Sequence, residues 1–338
     1  MKDIADYNLL GHNTFGIDVK CRRYLEFASV GELRMLLSEY DIRHEHFRVI
    51  GAGSNLLFLN DFDGYILHSA IMGCDVVQDK DDDIVRLRCG SGETWDDVVR
   101  MCVENGWYGA ENLSLIPGEA GASAVQNIGA YGVEAKDIIL EVEAVDLTDG
   151  RLVTFSNAEC EYEYRNSVFK HKYKNRFVIT HVTYGLSRSF RPSLEYGNIK
   201  QALGDKINNL TARQLREAIV QIRQAKLPDT KVLGNAGSFF KNPVVTQQHF
   251  ERLLKIYPDM PHYAVPTGVK IPAGWLIEKC GWKGKTIGKV GVHAKQALIL
   301  INLGGASGRE ILDLCNRICD DVRARFDIRI EPEVNIID

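Results

Sequence analysis

Three stretches of this chain combine residue types and spacings that could support chemistry. Gly51-Ala-Gly-Ser-Asn-Leu-Leu57 follows Phe47–Ile50, which reads as a buried strand. Successive small residues let backbone N–H groups turn toward one point and cradle a phosphate. A side chain at Gly53 would block that approach. Ile116-Pro-Gly-Glu-Ala-Gly-Ala-Ser-Ala-Val-Gln-Asn-Ile-Gly-Ala-Tyr-Gly132 is longer, and its small residues permit close approach of a flat, extended ligand. Either loop alone also reads as a tight turn; two in one region point to a shared diphosphate ligand. Gly234-Asn-Ala-Gly-Ser-Phe-Phe-Lys-Asn-Pro243 carries Ser238 on a turn. A hydroxyl there either donates a proton or only bonds its own backbone.

Other motifs fail on inspection. A dinucleotide fingerprint needs a third glycine at position 56, where Leu56 stands. Gly284-Lys285-Thr286 ends like a P-loop, but Lys279 occupies the place of its first glycine. Phe240 fills the second glycine position of a hydrolase elbow, so Ser238 is not an activated nucleophile. His44-Glu-His46 has no second cluster at ligand spacing and reads as a surface turn, so no metal is expected. The eight cysteines, Cys21, Cys74, Cys89, Cys102, Cys160, Cys280, Cys315 and Cys319, form no Cys-x-x-Cys pair. They read as core thiols, not as a disulfide framework.

The elements that must position these loops follow from capping and periodicity. Ser29-Val-Gly-Glu32 is a capping box opening a helix to about Tyr40. Tyr65–His68 and Ile84–Cys89 read as strands, and Thr94–Glu104 as a helix stopped at Gly106. From about Ile138 to Leu186 the pattern is strands, including Leu152–Phe155 and Phe177–Val182. Thr211-Ala-Arg-Gln214 opens a helix to about Ala225, barred from continuing by Pro228. Further helices are expected at Pro272–Cys280, with Pro at the first turn, and at Ser307–Phe326. The last has Ile311, Cys315, Ile318, Val322 and Phe326 on one face, a core stripe. Strand-rich and helix-rich blocks, not regular βαβ units, favour an α+β fold.

With 338 residues, the chain is long enough for two or three domains. Its net charge of −4 argues against a general nucleic-acid binder. Met1-Lys-Asp-Ile-Ala-Asp6 puts acids where a signal peptide is apolar, and no apolar run approaches the roughly 18 residues of a membrane span. A cytoplasmic protein without membrane or nucleic-acid partners is expected.

Taken together, Asn13-Thr-Phe-Gly16, the Gly51 loop, Ile116–Gly132, Tyr164-Arg-Asn-Ser167, Gly234–Pro243, Pro272-Ala-Gly-Trp-Leu-Ile277 and Glu331-Pro-Glu-Val334 resemble, in order and spacing, the UDP-N-acetylenolpyruvoylglucosamine reductase (MurB) family of peptidoglycan precursor synthesis. The resemblance spans about residues 13 to 337. Arg191-Pro-Ser-Leu-Glu-Tyr-Gly197 is similar to the tyrosine-bearing loop of one subtype. The resemblance implies an FAD-binding fold of the vanillyl-alcohol-oxidase type in two subdomains, 1–67 and 68–210. A substrate-binding α+β domain would occupy 211–338, with residues 327–338 packing near the first subdomain.

The implied reaction passes a hydride from NADPH, through noncovalent FAD, to the enolpyruvyl group of UDP-N-acetylglucosamine enolpyruvate, in a monomer. By the same resemblance, Arg165, Ser238 and Glu333 are catalytic. Arg165 would meet the substrate carboxylate, Ser238 would protonate the adjacent carbon, and Glu333 would share in stabilising the enol; Glu331 is its structural neighbour. Gly51, Ala52, Gly53, Ser54, Asn55 and Leu56 would hold FAD, with Ile116, Pro117, Gly118, Gly121, Ala122, Ser123, Gln126, Asn127, Gly129, Ala130 and Tyr131. Tyr131, Arg165, Tyr196, Lys226, Asn242, Lys270, Lys283 and Gln296 would contact substrate.

Three departures stand out. Asn335 follows Val334 where many relatives carry arginine, Gly274 sits where relatives often have alanine, and Glu119 puts a charge inside the second flavin loop. Two other functions fit less well. Flavin oxidases of this fold often attach flavin to His or Cys, and neither lies between Val49 and Leu57. A noncatalytic nucleotide-sugar binder would have no need of Arg165, Ser238 and Glu333 together.

Overall fold

The capping boxes are built as hydrogen-bonded helix starts in a computed structural model, which describes residues 1–77, 83–196 and 198–338. Gly197, the end of the tyrosine-bearing loop, lies outside the described residues. The Ser29 hydroxyl accepts from Glu32 N at the start of helix α1 (Val30–Glu39), and the Glu32 carboxylate reaches back to Ala28 N. Two compact units result. The first comprises Met1–Tyr7, Cys21–Ala52 and Asp63–Ala225; the second comprises Asn8–Lys20, Gly53–Phe62 and Lys226–Asp338.

In the first unit, four strands lie in the order Lys2–Asn8, Lys20–Phe27, Phe62–Ser69, Phe47–Ile50. The last two are parallel, with Phe47 opposite Tyr65. Helix α1 buries Leu33 and Leu36 with Leu25, Phe27 and Leu67 in one apolar core. A second sheet runs Leu152–Ser156, Ile139–Asp146, Phe177–Ser187, Ile84–Gly90, Cys74–Val77, antiparallel throughout. Its core takes in Trp95, Val98 and Val99 of helix α2 (Trp95–Glu104) and Ala120 and Ala124 of helix α3 (Ala120–Gln126). Two further helices follow, α4 (Ile199–Leu203) and α5 (Ala212–Lys226). Arg216 of α5 grips Asp96 of α2 at two points, 2.7 and 2.9 Å. Burial alone would raise the Asp96 pKa, but Arg216 holds it below the usual carboxylate range.

The second unit carries helices α6 (Gln247–Ile256), α7 (Ala273–Lys279) and α8 (Gly308–Phe326). Pro272 caps α7 one residue ahead of the helix, not within its first turn. Ser307 and Glu310 close a reciprocal capping box on α8, and Ile311, Cys315, Ile318, Val322 and Phe326 are buried as one stripe. Two three-stranded antiparallel sheets, Val244–Val245 with Gly268–Lys270 and Tyr263–Val265, and Thr286–Ile287 with Val290–Val292 and Leu300–Asn302, complete the body. Leu56–Phe58 pairs in parallel with Asn335–Ile337, Leu56 opposite Asn335.

These elements agree with an α+β fold. Lys2–Asn8, read from sequence only as unlike a signal peptide, is a strand with six of its seven residues exposed, so it has no alternation to detect. All eight cysteines are free thiols, five of them buried. His44 bonds Asp41 at 2.7 Å on the surface. Among the described residues there is no group of three or more His, Cys, Asp or Glu placed to hold a metal, and no helix long and apolar enough to cross a membrane.

Gly53 is required for a reason internal to the second unit. Its φ is +67°, and a β-carbon there would stand 1.9 Å from the His12 carbonyl oxygen. The side-chain direction therefore points into the chain's own backbone, not toward the approach of a ligand. Gly53→Ala should lower stability by about 1–3 kcal/mol, the usual cost of a strained left-handed residue. A wild-type melting midpoint for this variant would refute the described packing.

Candidate active site

The first glycine-rich loop leaves its strand at Ile50, and in the first unit it meets the second loop directly. A β-carbon on Gly51 would lie 3.6 Å from the Ala122 β-carbon and 2.8 Å from Glu119 Oε2. Ala52 is exposed, and Ile116, Gly118, Ala122, Gly129 and Ala130 are half-exposed. Gly121, Ser123 and Asn127 are buried behind them as part of α3 and its left-handed cap. Ser123 Oγ is used by Ala120 O and Tyr184 OH at 2.6 and 2.9 Å. The Asn127 amide bonds Glu163 O, and its oxygen accepts from Lys136 N. Gln126 Oε1 accepts from Lys170. The exposed remainder is small and largely uncharged, which suits a flat ring system and a backbone-bound diphosphate. This surface fits FAD.

Arg165 is seated on the second loop. Its backbone has φ +56°, its side chain is only 17% exposed, and its guanidinium donates to the carbonyls of Gly129 and, at 3.3 Å, Asn127. Glu134 lies 4.0 Å away and the Tyr164 ring 5.0 Å away. A β-carbon on Gly129 would stand 2.6 Å from Arg165 Nη1, so the guanidinium lies close over this glycine. Arg165 is thus a half-buried fork on backbone carbonyls.

Tyr131 has φ +51°, and its carbonyl accepts from Asn112. Burial raises its phenol pKa, with the facing Arg223 pulling it back. Arg223, on α5, was not among the residues singled out by sequence. Its Nε is buried with no hydrogen-bond partner among the described residues, and burial lowers its pKa against the pull of Tyr131 and Asp96. Tyr196 is 47% exposed, and its β-carbon packs beside Gly132.

The second unit holds Gly53, Ser54, Asn55 and Leu56 together with Ser238 and Glu333. Asn235 Oδ1 accepts from Gly237 N at 2.9 Å, and Gly237 takes φ +67°, which turns Ser238 outward to an exposed position. The next residues form a short ladder: Glu333 N donates to Phe239 O at 2.7 Å, and Lys241 N to Glu331 O at 2.9 Å. Glu333 is half-buried and Glu331 exposed. Asn55 O accepts from Asn335 N and from the Asn335 amide at 3.0 and 3.1 Å. Asn335, a departure in the sequence, therefore fastens the end of the first loop to the strand beyond Glu333.

The remaining substrate candidates are placed less uniformly. Asn242 Oδ1 accepts from Ala273 N at the start of α7, and Gln296 Oε1 accepts from Leu298 N. Gly274 lies against that Gln296 oxygen, where a β-carbon would be 3.2 Å away. Lys283 is held by Glu278 at 3.0 Å, Lys270 stands over the Tyr263 ring, and Lys226 is exposed at the end of α5.

Comparison with known proteins agrees with this layout. Residues 22–156 match the model of an FAD binding domain. The structure aligns over 97% of the chain with 86% of 6-hydroxy-D-nicotine oxidase from Arthrobacter nicotinovorans, at a TM-score of 0.55 and 11% identity. It aligns over its full length with 98% of the MurB reductase of Thermus caldophilus, at a TM-score of 0.69 and 21% identity. Fold and loops thus define an FAD-binding protein whose fold is shared with these flavoenzyme structures. Residues 228–337 match the C-terminal domain of UDP-N-acetylenolpyruvoylglucosamine reductase. Proteins of that name from Bacteroides fragilis and Flavobacterium johnsoniae are 51% and 43% identical, each over 98% of this chain and 99% of their own. The chain belongs to the UDP-N-acetylenolpyruvoylglucosamine reductase family.

Proposed function

We propose that this chain catalyses the NADPH-dependent reduction of UDP-N-acetylglucosamine enolpyruvate to UDP-N-acetylmuramate, a step of peptidoglycan precursor synthesis. The observation that carries the reading is the 51% identity over 98% of the chain to a reductase of that name. Bound FAD supplies the hydride relay between NADPH and the alkene. Gly51 to Leu56 and the exposed residues of Ile116–Tyr131 hold it. Arg165 meets the substrate carboxylate as a planar fork that stays charged when buried. Ser238 Oγ gives its proton to the carbon next to that carboxylate, and Glu333 shares in stabilising the charge that develops there. Tyr131, Tyr196, Lys226, Asn242, Lys270, Lys283 and Gln296 bind the sugar nucleotide, the lysines supplying positive field in an acidic chain. The domain division that goes with this reading is 1–67 and 68–210 for FAD and 211–338 for substrate. The enzyme works as a cytoplasmic monomer.

An anaerobic absorbance titration tests the reaction. NADPH should bleach the flavin bands, and the enolpyruvyl sugar nucleotide should restore them; failure of either step refutes the assignment. In the same assay, Tyr196→Phe should leave bleaching unchanged and raise the sugar-nucleotide requirement about 10-fold, the worth of one hydrogen bond to a charged group. Equal losses in both steps would remove Tyr196 from the substrate set.

A further inference from the structure

Glu119, the charge inside the second loop, turns inward. Its Oε1 lies 3.1 Å from His68 Nε2, while Oε2 faces Gly51, 2.8 Å from where a β-carbon on that glycine would be. His68, on the strand Phe62–Ser69, meets Glu26 Oε2 through Nδ1 at 3.1 Å. Tyr24 OH lies 2.8 Å from the same nitrogen and 3.0 Å from Glu26 Oε2. Lys2 pairs with Glu26 at 2.8 Å, and Tyr7 stacks on Tyr24. The side chains of Glu26, His68 and Glu119 are 13–15% exposed.

A carboxylate pressed on a phosphate-cradling loop would oppose an anionic ligand. We propose that His68, held as an imidazolium between Glu26 and Glu119, is a positioning residue that neutralises Glu119 and so lets the loop starting at Gly51-Ala52 accept the flavin diphosphate. Two carboxylates, Lys2 and a charged His68 sum to zero; loss of the His68 proton leaves one negative charge beside the loop. The proposal rests on placing the diphosphate at that loop.

The electrostatics agree. Burial alone would lower the His68 pKa, but hydrogen bonds and charges from Glu119 and Glu26 raise it above its ordinary 6.5. Burial would raise Glu26, yet hydrogen bonds from Lys2, His68 and Tyr24 bring it down to about 2. Glu26 and Tyr24 from the strand Lys20–Phe27, with Lys2 and Tyr7 behind them, and Glu119 from the loop before α3 all face His68. Protonated His68 favours the anion, so FAD affinity should be highest below the raised His68 pKa and fall as pH rises through it.

Flavin fluorescence quenching on apoprotein measures the Kd for FAD from pH 6 to 9, with circular dichroism confirming the fold. Wild-type Kd should rise with pH. His68→Gln should bind FAD about 10-fold more weakly near pH 6, equal to about 1.4 kcal/mol, and lose the slope. Adding Glu119→Gln should restore affinity near the wild-type value, because the charge needing compensation is gone. A flat wild-type profile overturns the proposal even if His68→Gln does not fold, as does a double variant no better than the single one. Ala52→Glu separates this from the loop placement. A carboxylate at exposed position 52 should weaken FAD binding whatever His68 does. If it has no effect, the diphosphate lies elsewhere and both readings fall; if it weakens binding while His68→Gln does not, only the role of His68 falls.

Discussion

Ser238→Ala is expected to leave reduction of the flavin by NADPH at the wild-type rate and to slow reoxidation by the enolpyruvyl substrate by about 10²–10⁴-fold, the usual worth of a positioned acid. The asymmetry follows from when the hydroxyl is needed: its proton is required only once hydride has reached the substrate. The turn should survive the change. It is held by Asn235 Oδ1 on Gly237 N, by Phe239 N on Leu298 O and by Glu333 N on Phe239 O, none of which uses the Ser238 side chain. Ser238 is exposed, so alanine leaves no buried polar group unpaired. Substrate affinity and the melting midpoint should change little. Stopped-flow measurement of the two half-reactions decides the matter, and unchanged reoxidation removes Ser238 from the mechanism.

Arg165→Lys is expected to lower turnover by about 10²-fold, as for loss of one preorganised donor to developing charge. The guanidinium reaches two carbonyls of the second loop, Gly129 and Asn127, and lies close over Gly129. A lysine keeps the charge but presents a single ammonium, which cannot serve the loop and a substrate carboxylate with one planar fork. Flavin reduction by NADPH should be affected less than substrate reduction. Near-normal steady-state turnover would assign Arg165 to holding the loop alone.

Much of this architecture was legible because helix starts are local chemistry. Ser29–Glu32 and Thr211–Gln214 each announce a helix within four residues, and the α8 stripe needs only 3.6-residue periodicity. Helix α3 was hidden because Ala120–Gln126 is built mostly from small residues that carry no apolar period, so Gly121 and its neighbours read as loop. The Ser238 turn and the Glu331–Val334 motif are linear signals. Their hydrogen-bonded pairing joins residues far apart in sequence, which no local pattern encodes. The same holds for Glu119. Its approach to His68 spans 51 residues, and sequence alone left its direction open. Arg223 lies on a helix read correctly from its cap, but only burial against Tyr131 distinguishes it from a solvated arginine.

The parallel pairing of Leu56–Phe58 with Asn335–Ile337 sets the order in which this protein can be made. Asn55 and Glu333, which bond across the same junction, are 278 residues apart. Ribosomal synthesis delivers the Gly53–Phe62 segment early, yet its strand partner emerges only after residue 337 has been translated. Throughout that interval, about 15 seconds to about a minute at ordinary elongation rates, the strand edge at Leu56–Phe58 stays unpaired. Closing so long a loop also carries an entropic cost that local contacts do not offset in advance. The strand pairing of the second unit therefore waits for residue 337, whereas the segments of the first are all made by residue 225.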